Sequence, residues 1–389
     1  MRVLICPESF PGLLTAVQAA EAMAEGWRRR APGDDLTLAP MSGGGPGFLS
    51  VLADAVGGVS VATTVSDPVG RLVPASLLLV DEPSGSETVR TAYVEAAQAA
   101  GLHLLNADER NPLVTSSFGV GQLIRGALEE GARRIVVAVG DSAVNDGGAG
   151  LLCALGVGSP DRLARGGGAL HEMTSDALTG LSDAQDLLAG VEIVIATEEM
   201  LPLLGFDGTS ALDAPERGAT VEQSQALEGA LGEFHDLVMR TSPPTQDLFT
   251  GLPRRIDREP GAGAGGGIGY ALLVLGGRVT SAVDIVQRAW NVDDLLDRHD
   301  LVLTGEGCFD WTSLRGGVVA GIARAAAARS LPAVVLAGEV TVGRRETMAL
   351  GVSGVYAVAE RPGETDALLA DPVGSLEARA SRVAGTWSP

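Results

Sequence analysis

Residues 134–150 read RIVVAVGDSAVNDGGAG, and this stretch decides the fold. Arg134 to Val139 is a short, strongly apolar run, which reads as a buried strand. A polar, glycine-rich loop follows from Gly140 to Gly148, and a helix after it. On the other side, Phe118 to Glu130 has the spacing of an amphipathic helix and stops at Gly131. Helix, buried strand, polar glycine loop and helix in succession make the repeating unit of an α/β protein with a parallel sheet.

The same alternation extends outward in both directions. Arg2 to Cys6 reads as a buried strand, and Thr15 caps a helix that runs to about Arg30. Leu36 to Ala39 is a second strand, and Ser42 to Gly47 a glycine loop before another helix. Val59 to Val65 and Leu72 to Val80 pair around a turn at Asp67–Pro68, and Val89 to Ala100 reads as a helix. Further on come a strand at Val191 to Thr197, a long helix at Val221 to Met239, and a glycine loop at Gly261 that becomes a helix by Leu275. The last hundred residues return to βα alternation, with strands at Leu301 to Thr304, Ala333 to Ala337 and Val355 to Val358. Ligands of such sheets sit at the carboxyl ends of the strands. The polar glycine loops Pro7 to Gly12, Ser42 to Gly47, Gly140 to Gly148 and Gly305 to Asp310 fall there.

Composition narrows the partners. A chain of 389 residues, 46% hydrophobic and 20% charged, has ample core for two domains or one large one. Its net charge of −21 repels nucleic acid and anionic membranes, so neither is expected as a partner. There is no lysine; all 28 basic residues are arginine. Cys6, Cys153 and Cys308 are too far apart for a zinc motif, and no metal ligand set is expected. The N-terminus reads as a strand rather than a signal peptide, and the apolar run 262–275 is too short to span a bilayer. A cytoplasmic protein acting on a small molecule fits, with a homodimer open as its assembly.

Seven loop motifs, in order, resemble those of the glycerate 2-kinase family, the type I bacterial glycerate kinases. They are PESFPGLLTA from Pro7, PMSGGGPGF from Pro40, RNPLVTSSFGVGQLI from Arg110 and VAVGDSAVNDGGAG ending at Gly150. LPLLGFDGTSA from Leu201, PGAGAGGGIGYAL from Pro260 and TGEGCFDWTSLRGGVVAG from Thr304 complete the series. The resemblance implies a two-domain α/β fold. A discontinuous Rossmann-like domain would comprise residues 1–60 and 285–389, and an inserted α/β domain residues 61–284, with the active site in the cleft between them. It also implies ATP, magnesium and transfer of a phosphoryl group to glycerate.

The departures from the family pattern lie within the motifs. Pro11 and Gly317 stand where the pattern has lysine, Cys308 where it has arginine, Gly43 and Pro46 where it has acidic residues, and Asp141 where it has glycine. Phosphoryl transfer depends on positive charge at the transferring group, where one arginine is worth roughly 10³–10⁵ in rate. These losses favour a repurposed enzyme working without ATP on a less charged, more apolar molecule. Dehydration, cyclisation or isomerisation in specialised metabolism would then use Glu8 as base with Asp310 and Glu306 as partner carboxylates. Substrate contacts are expected from Ser9, Arg110, Asn111, Ser142, Asn145 and Asp146, with Phe48, Phe309, Trp311 and Cys308 as further lining. On this reading no cofactor is expected. The alternative is an ATP- and magnesium-dependent kinase of glycerate or a related hydroxy acid, and a further one a non-catalytic binding protein. The four histidines lie outside the motifs and read as structural.

Overall fold

The computed structural model describes residues 1–84, 87–243, 251, 253–361 and 363–388. Its strands begin with β1 (Arg2–Pro7), β2 (Asp35–Leu38), β3 (Val59–Ser66), β4 (Leu72–Ser84), β5 (Glu87–Glu95), β6 (Arg134–Ala138) and β7 (Glu192–Ala196). They continue with β8 (Arg278–Thr280), β9 (Leu301–Gly305), β10 (Cys308–Phe309), β11 (Ala333–Ala337), β12 (Glu339–Val340) and β13 (Val352–Ala357). The chain divides into two compact α/β units. The first comprises Met1–Gly43, Ser50–Val56 and Ala282–Pro389; the second comprises Gly44–Leu49 and Gly57–Ser281.

The first unit carries a five-stranded sheet in the order β13-β11-β9-β1-β2, parallel throughout. β1, β9 and β11 are apolar and buried almost end to end, as a sheet covered on both faces requires. The helix Ala16–Arg30 starts at Thr15, whose hydroxyl accepts from the Gln18 amide at 3.2 Å while Gln18 Oε1 accepts from the Thr15 amide at 3.0 Å. This reciprocal cap satisfies two amides that the helix itself cannot. The helix meets the last one, Pro372–Trp387, so closely that a Cβ on Gly26 would lie 2.1 Å from the Glu377 carbonyl oxygen. Met23, Trp27, Leu376 and Val383 share a core with Val3, Ile5 and Leu303.

The second unit holds a six-stranded sheet in the order β3-β4-β5-β6-β7-β8. β3, β4 and β5 run antiparallel, and β5 to β8 are parallel. The segment Val89 to Ala100, expected as a helix, is strand up to Glu95 and then the short helix Ala97–Ala100. Thr91 to Glu95 are buried one after another, leaving no polar face for an amphipathic helix. The long helix Val221–Thr241 is capped by Thr220 and Gln223 in the same reciprocal way as the first. Among the described residues no helix is long and apolar enough to cross a membrane.

Candidate functional site

In the first unit, hydrogen bonds knit together the loops that leave β1, β2 and β9. The Ala39 amide donates to the Ile5 carbonyl and Met41 to Pro7, both at 2.9 Å, and Glu8 to Gly305 at 2.8 Å. Trp290 Nε1 fixes the second loop by donating to the Pro40 carbonyl at 2.9 Å. These contacts bring Glu8, Ser9 and Glu306 to one sheet edge, each half-buried. Glu8 Oε1 accepts from the Gly43 amide at 3.0 Å. Glu306 Oε1 is buried and has no hydrogen-bond partner. Burial pushes the Glu306 carboxyl up to about 8; a bond to Ser313 pulls it down, and the Glu8 and Asp310 carboxylates push it further up. Asp310 behaves oppositely. Its Oδ1 accepts from the Thr312 amide and hydroxyl at 2.7 and 2.6 Å and from the Ser313 amide at 3.3 Å. These bonds, the Thr312 hydroxyl first, hold Asp310 below the usual carboxylate range.

The residues expected as apolar lining have different surroundings. Cys308 and Phe309 form β10, which pairs with β12, and alternation along the strand turns Cys308 out and Phe309 in. Phe309 is fully buried against Val319, Ala323 and Val335, and Phe48 is likewise fully buried. Trp311 is 59% exposed. Two of the three aromatic residues therefore serve cores, and the third faces solvent. The Cys308 thiol is raised by partial burial and then by Asp310, Glu339 and Glu306, whereas a nucleophilic cysteine needs the reverse.

In the second unit the loop after β6 and the segment 110–117 are built around Asp146. This fully buried carboxylate accepts from the amides of Ser117, Gly148 and Gly150 and from the Ser117 hydroxyl, at 2.8 to 3.2 Å. The Gly148 and Gly150 amides at the start of the helix Ala149–Ala154 are therefore taken by the chain's own carboxylate. Ser142 is buried, and its hydroxyl accepts from the Val144 amide at 3.2 Å. Asn111 Oδ1 caps its own turn by accepting from the Leu113 amide at 3.1 Å.

The buried Arg217 ties these pieces together. Its Nε donates to the Ser142 carbonyl at 2.9 Å, Nη1 to Asn145 Oδ1 at 3.1 Å and Thr209 Oγ1 at 3.0 Å, and Nη2 to Asp213 at 3.1 Å. Asn145 in turn donates to Ser210 at 3.0 Å. Asp141 adopts a left-handed backbone with φ 54°. Burial raises its carboxyl; His103, then Arg110 and Arg217, pull it back, and Glu216 opposes them. His103 Nδ1 lies 4.0 Å from the Asp141 carboxylate. Arg110 keeps a buried Nε that makes no hydrogen bond. Glu199 Oε2 accepts from the Gly265 amide at 2.9 Å. That amide opens a run of three left-handed glycines, Gly265, Gly266 and Gly267.

Nothing local in the sequence marks Glu199 or Arg217, and His103 reads there as structural. His103 and Arg217 lie outside the glycine loops, and no local pattern distinguishes them from surface charges. Glu199 stands beside Glu198, which instead accepts from the Ser281 hydroxyl at 2.6 Å. Two adjacent glutamates at a strand end give no signal of which one turns inward.

Two α/β units with charged, partly buried groups on strand-end glycine loops define a small-molecule scaffold. Residues 3–388 match the model of the glycerate kinase family. The chain is 38% identical over 386 residues to an uncharacterized protein of Mycobacterium bovis, covering 99% of this chain and 91% of that one. It is 34% identical over 363 residues to a glycerate kinase of Bacillus subtilis, covering 92% and 90%. The crystal structure of a putative glycerate kinase 2 from Salmonella typhimurium superposes with a TM-score of 0.73 at 31% identity, covering 99% of this chain and 98% of that one. The chain belongs to the glycerate kinase family.

This overturns the expectation of a repurposed acid/base enzyme working without ATP. The match spans the altered motifs, and relatives at this similarity are named as kinases. The expectation rested on cations missing from the motifs, and the charge of the motifs is not the charge of the folded loops. Arg217, outside every motif, is buried against two of their residues, Ser142 and Asn145.

Proposed function

We propose that this chain is an ATP-dependent kinase that phosphorylates glycerate or a closely related hydroxy acid. The observation that carries the reading is the family match over residues 3–388, together with 34% identity to a protein named glycerate kinase. In this reading Glu8, steadied by the Gly43 amide, accepts the proton of the attacking hydroxyl.

Magnesium fits as an ion carried by the nucleotide. Among the described residues no group of three or more acidic, histidine or cysteine side chains forms a metal cage. Magnesium, however, commonly binds one or two carboxylates plus substrate phosphates. The unpartnered Oε1 of Glu306, pressed by two neighbouring carboxylates, would gain from such an ion. Glu306 and Asp310 are the residues that would hold it, and its charge would stabilise the transferring phosphoryl group. The acidic, helix-rich chain would work in the cytoplasm.

The test is direct. Purified protein with ATP, magnesium and glycerate should release ADP, and phosphorus NMR should show a phosphoglycerate. Glu8→Gln should lower kcat by roughly 10²-fold or more. No ADP release above background with glycerate or a panel of hydroxy acids would end this reading.

A further inference from the structure

Among the described residues only Asp141, Asn291 and Ser330 combine a side chain with a positive φ, at 54°, 51° and 56°. Such a conformation favours glycine, and a residue with a Cβ is held there by its surroundings. At Asp141 those surroundings are charged. His103 Nδ1 is 4.0 Å from the carboxylate, which is itself 41% exposed. Arg110 and Arg217 act on it from two other segments of the same unit, and Glu216 adds one opposing charge. The two arginines differ in kind. Arg217 spends its donors on Ser142, Asn145, Thr209 and Asp213. Arg110 retains a buried Nε with no acceptor. The group thus presents one arginine with an unused donor and a fixed, partly open carboxylate on which that arginine acts.

We propose that Asp141 is a specificity-determining residue that admits hydroxy acids with one carboxylate and rejects those with two. The proposal rests on the kinase reading and deepens it. A single carboxylate pairs with Arg110, while the rest of a monocarboxylic hydroxy acid offers Asp141 hydroxyl donors. A dicarboxylic acid must bring its second charge against Asp141. In a partly dry site a like charge is rejected far more strongly than in water. The discrimination therefore works by repulsion of the wrong ligand, added to ordinary attraction for the right one. A glycine at 141 would relieve the backbone strain and leave His103 and Arg110 open to a second carboxylate.

The experiment compares glycerate with tartronate, which carries two carboxylates on its hydroxyl-bearing carbon. Dissociation constants are measured calorimetrically at neutral pH, without nucleotide, for the parent, Asp141→Asn and Asp141→Gly. Asparagine tolerates the left-handed backbone and removes only the charge; glycine removes the strain as well, so at least one variant folds. The parent should bind glycerate about tenfold or more tighter than tartronate, and the ratio should fall by about tenfold in both variants. A parent without preference, a ratio unchanged in both variants, or no binding of either acid by any of the three proteins overturns the proposal. Selective binding without phosphoryl transfer in a parallel ADP assay would instead refute the kinase reading and leave the selectivity standing.

Discussion

Glu306 sits in surroundings far from those its carboxyl meets in water. Its folded carboxyl titrates near 8, against an ordinary value of 4.5, chiefly because it is buried. Between those values the unfolded chain has lost a proton that the folded chain keeps, so the unfolded state binds fewer protons and stability falls as pH rises through the window. Glu306→Gln removes that dependence. Scanning fluorimetry should find the variant and the parent alike near pH 4.5 and the variant with the higher Tm near pH 8. Magnesium with nucleotide favours the ionised form, so it should raise the Tm of the parent near pH 8 more than that of the variant. Parallel Tm curves for the two proteins across this range would show that Glu306 is ionised throughout. Its candidacy was legible from its position after a strand end. Its burial was not, because that depends on Gly305 lying against β11, where a Cβ would come within 1.9 Å of the Leu336 carbonyl oxygen.

At the scale of the element, glycines alike in sequence have different duties. Gly12 and Gly266 both have positive φ, at 73° and 68°. A Cβ on Gly12 meets nothing within 4 Å, whereas one on Gly266 would lie 1.8 Å from the Val144 carbonyl oxygen. Gly12→Ala should therefore cost only the backbone strain, about 1 kcal/mol. Gly266→Ala should cost several-fold more, roughly 3 kcal/mol or above, because the glycine turn can no longer rest on the loop after β6. Urea unfolding of the two variants measures the difference, and equal losses would contradict the packing described. The same distinction separates β5 from the helix expected there. The apolar residues of 89–95 announce burial, but period and partner come from β4 and β6 on either side. Phe309 follows the same rule, since its inward direction is set by the pairing of β10 with β12.

For the whole molecule, the proposed kinase activity would have to manage phosphate with arginine, backbone amides and the nucleotide's magnesium, because the sequence holds no lysine. Amine-directed acylation should leave the activity intact, because these 389 residues offer it no lysine. Arginine-directed phenylglyoxal should abolish it, with protection by glycerate; loss of activity on acylation alone would contradict this account. Fold class and family are legible in the chain alone, because buried strands, helix caps and turn glycines write their requirements locally, and seven such loops recur in order. Which charges matter is set by the packing of distant segments. Arg217 becomes a buried anchor, Asp146 a loop brace, Asp141 an exposed carboxylate among cations and Phe309 a core residue. Each role is set by segments distant in the chain, and a charge or an aromatic ring has no fixed meaning until its neighbours replace water around it.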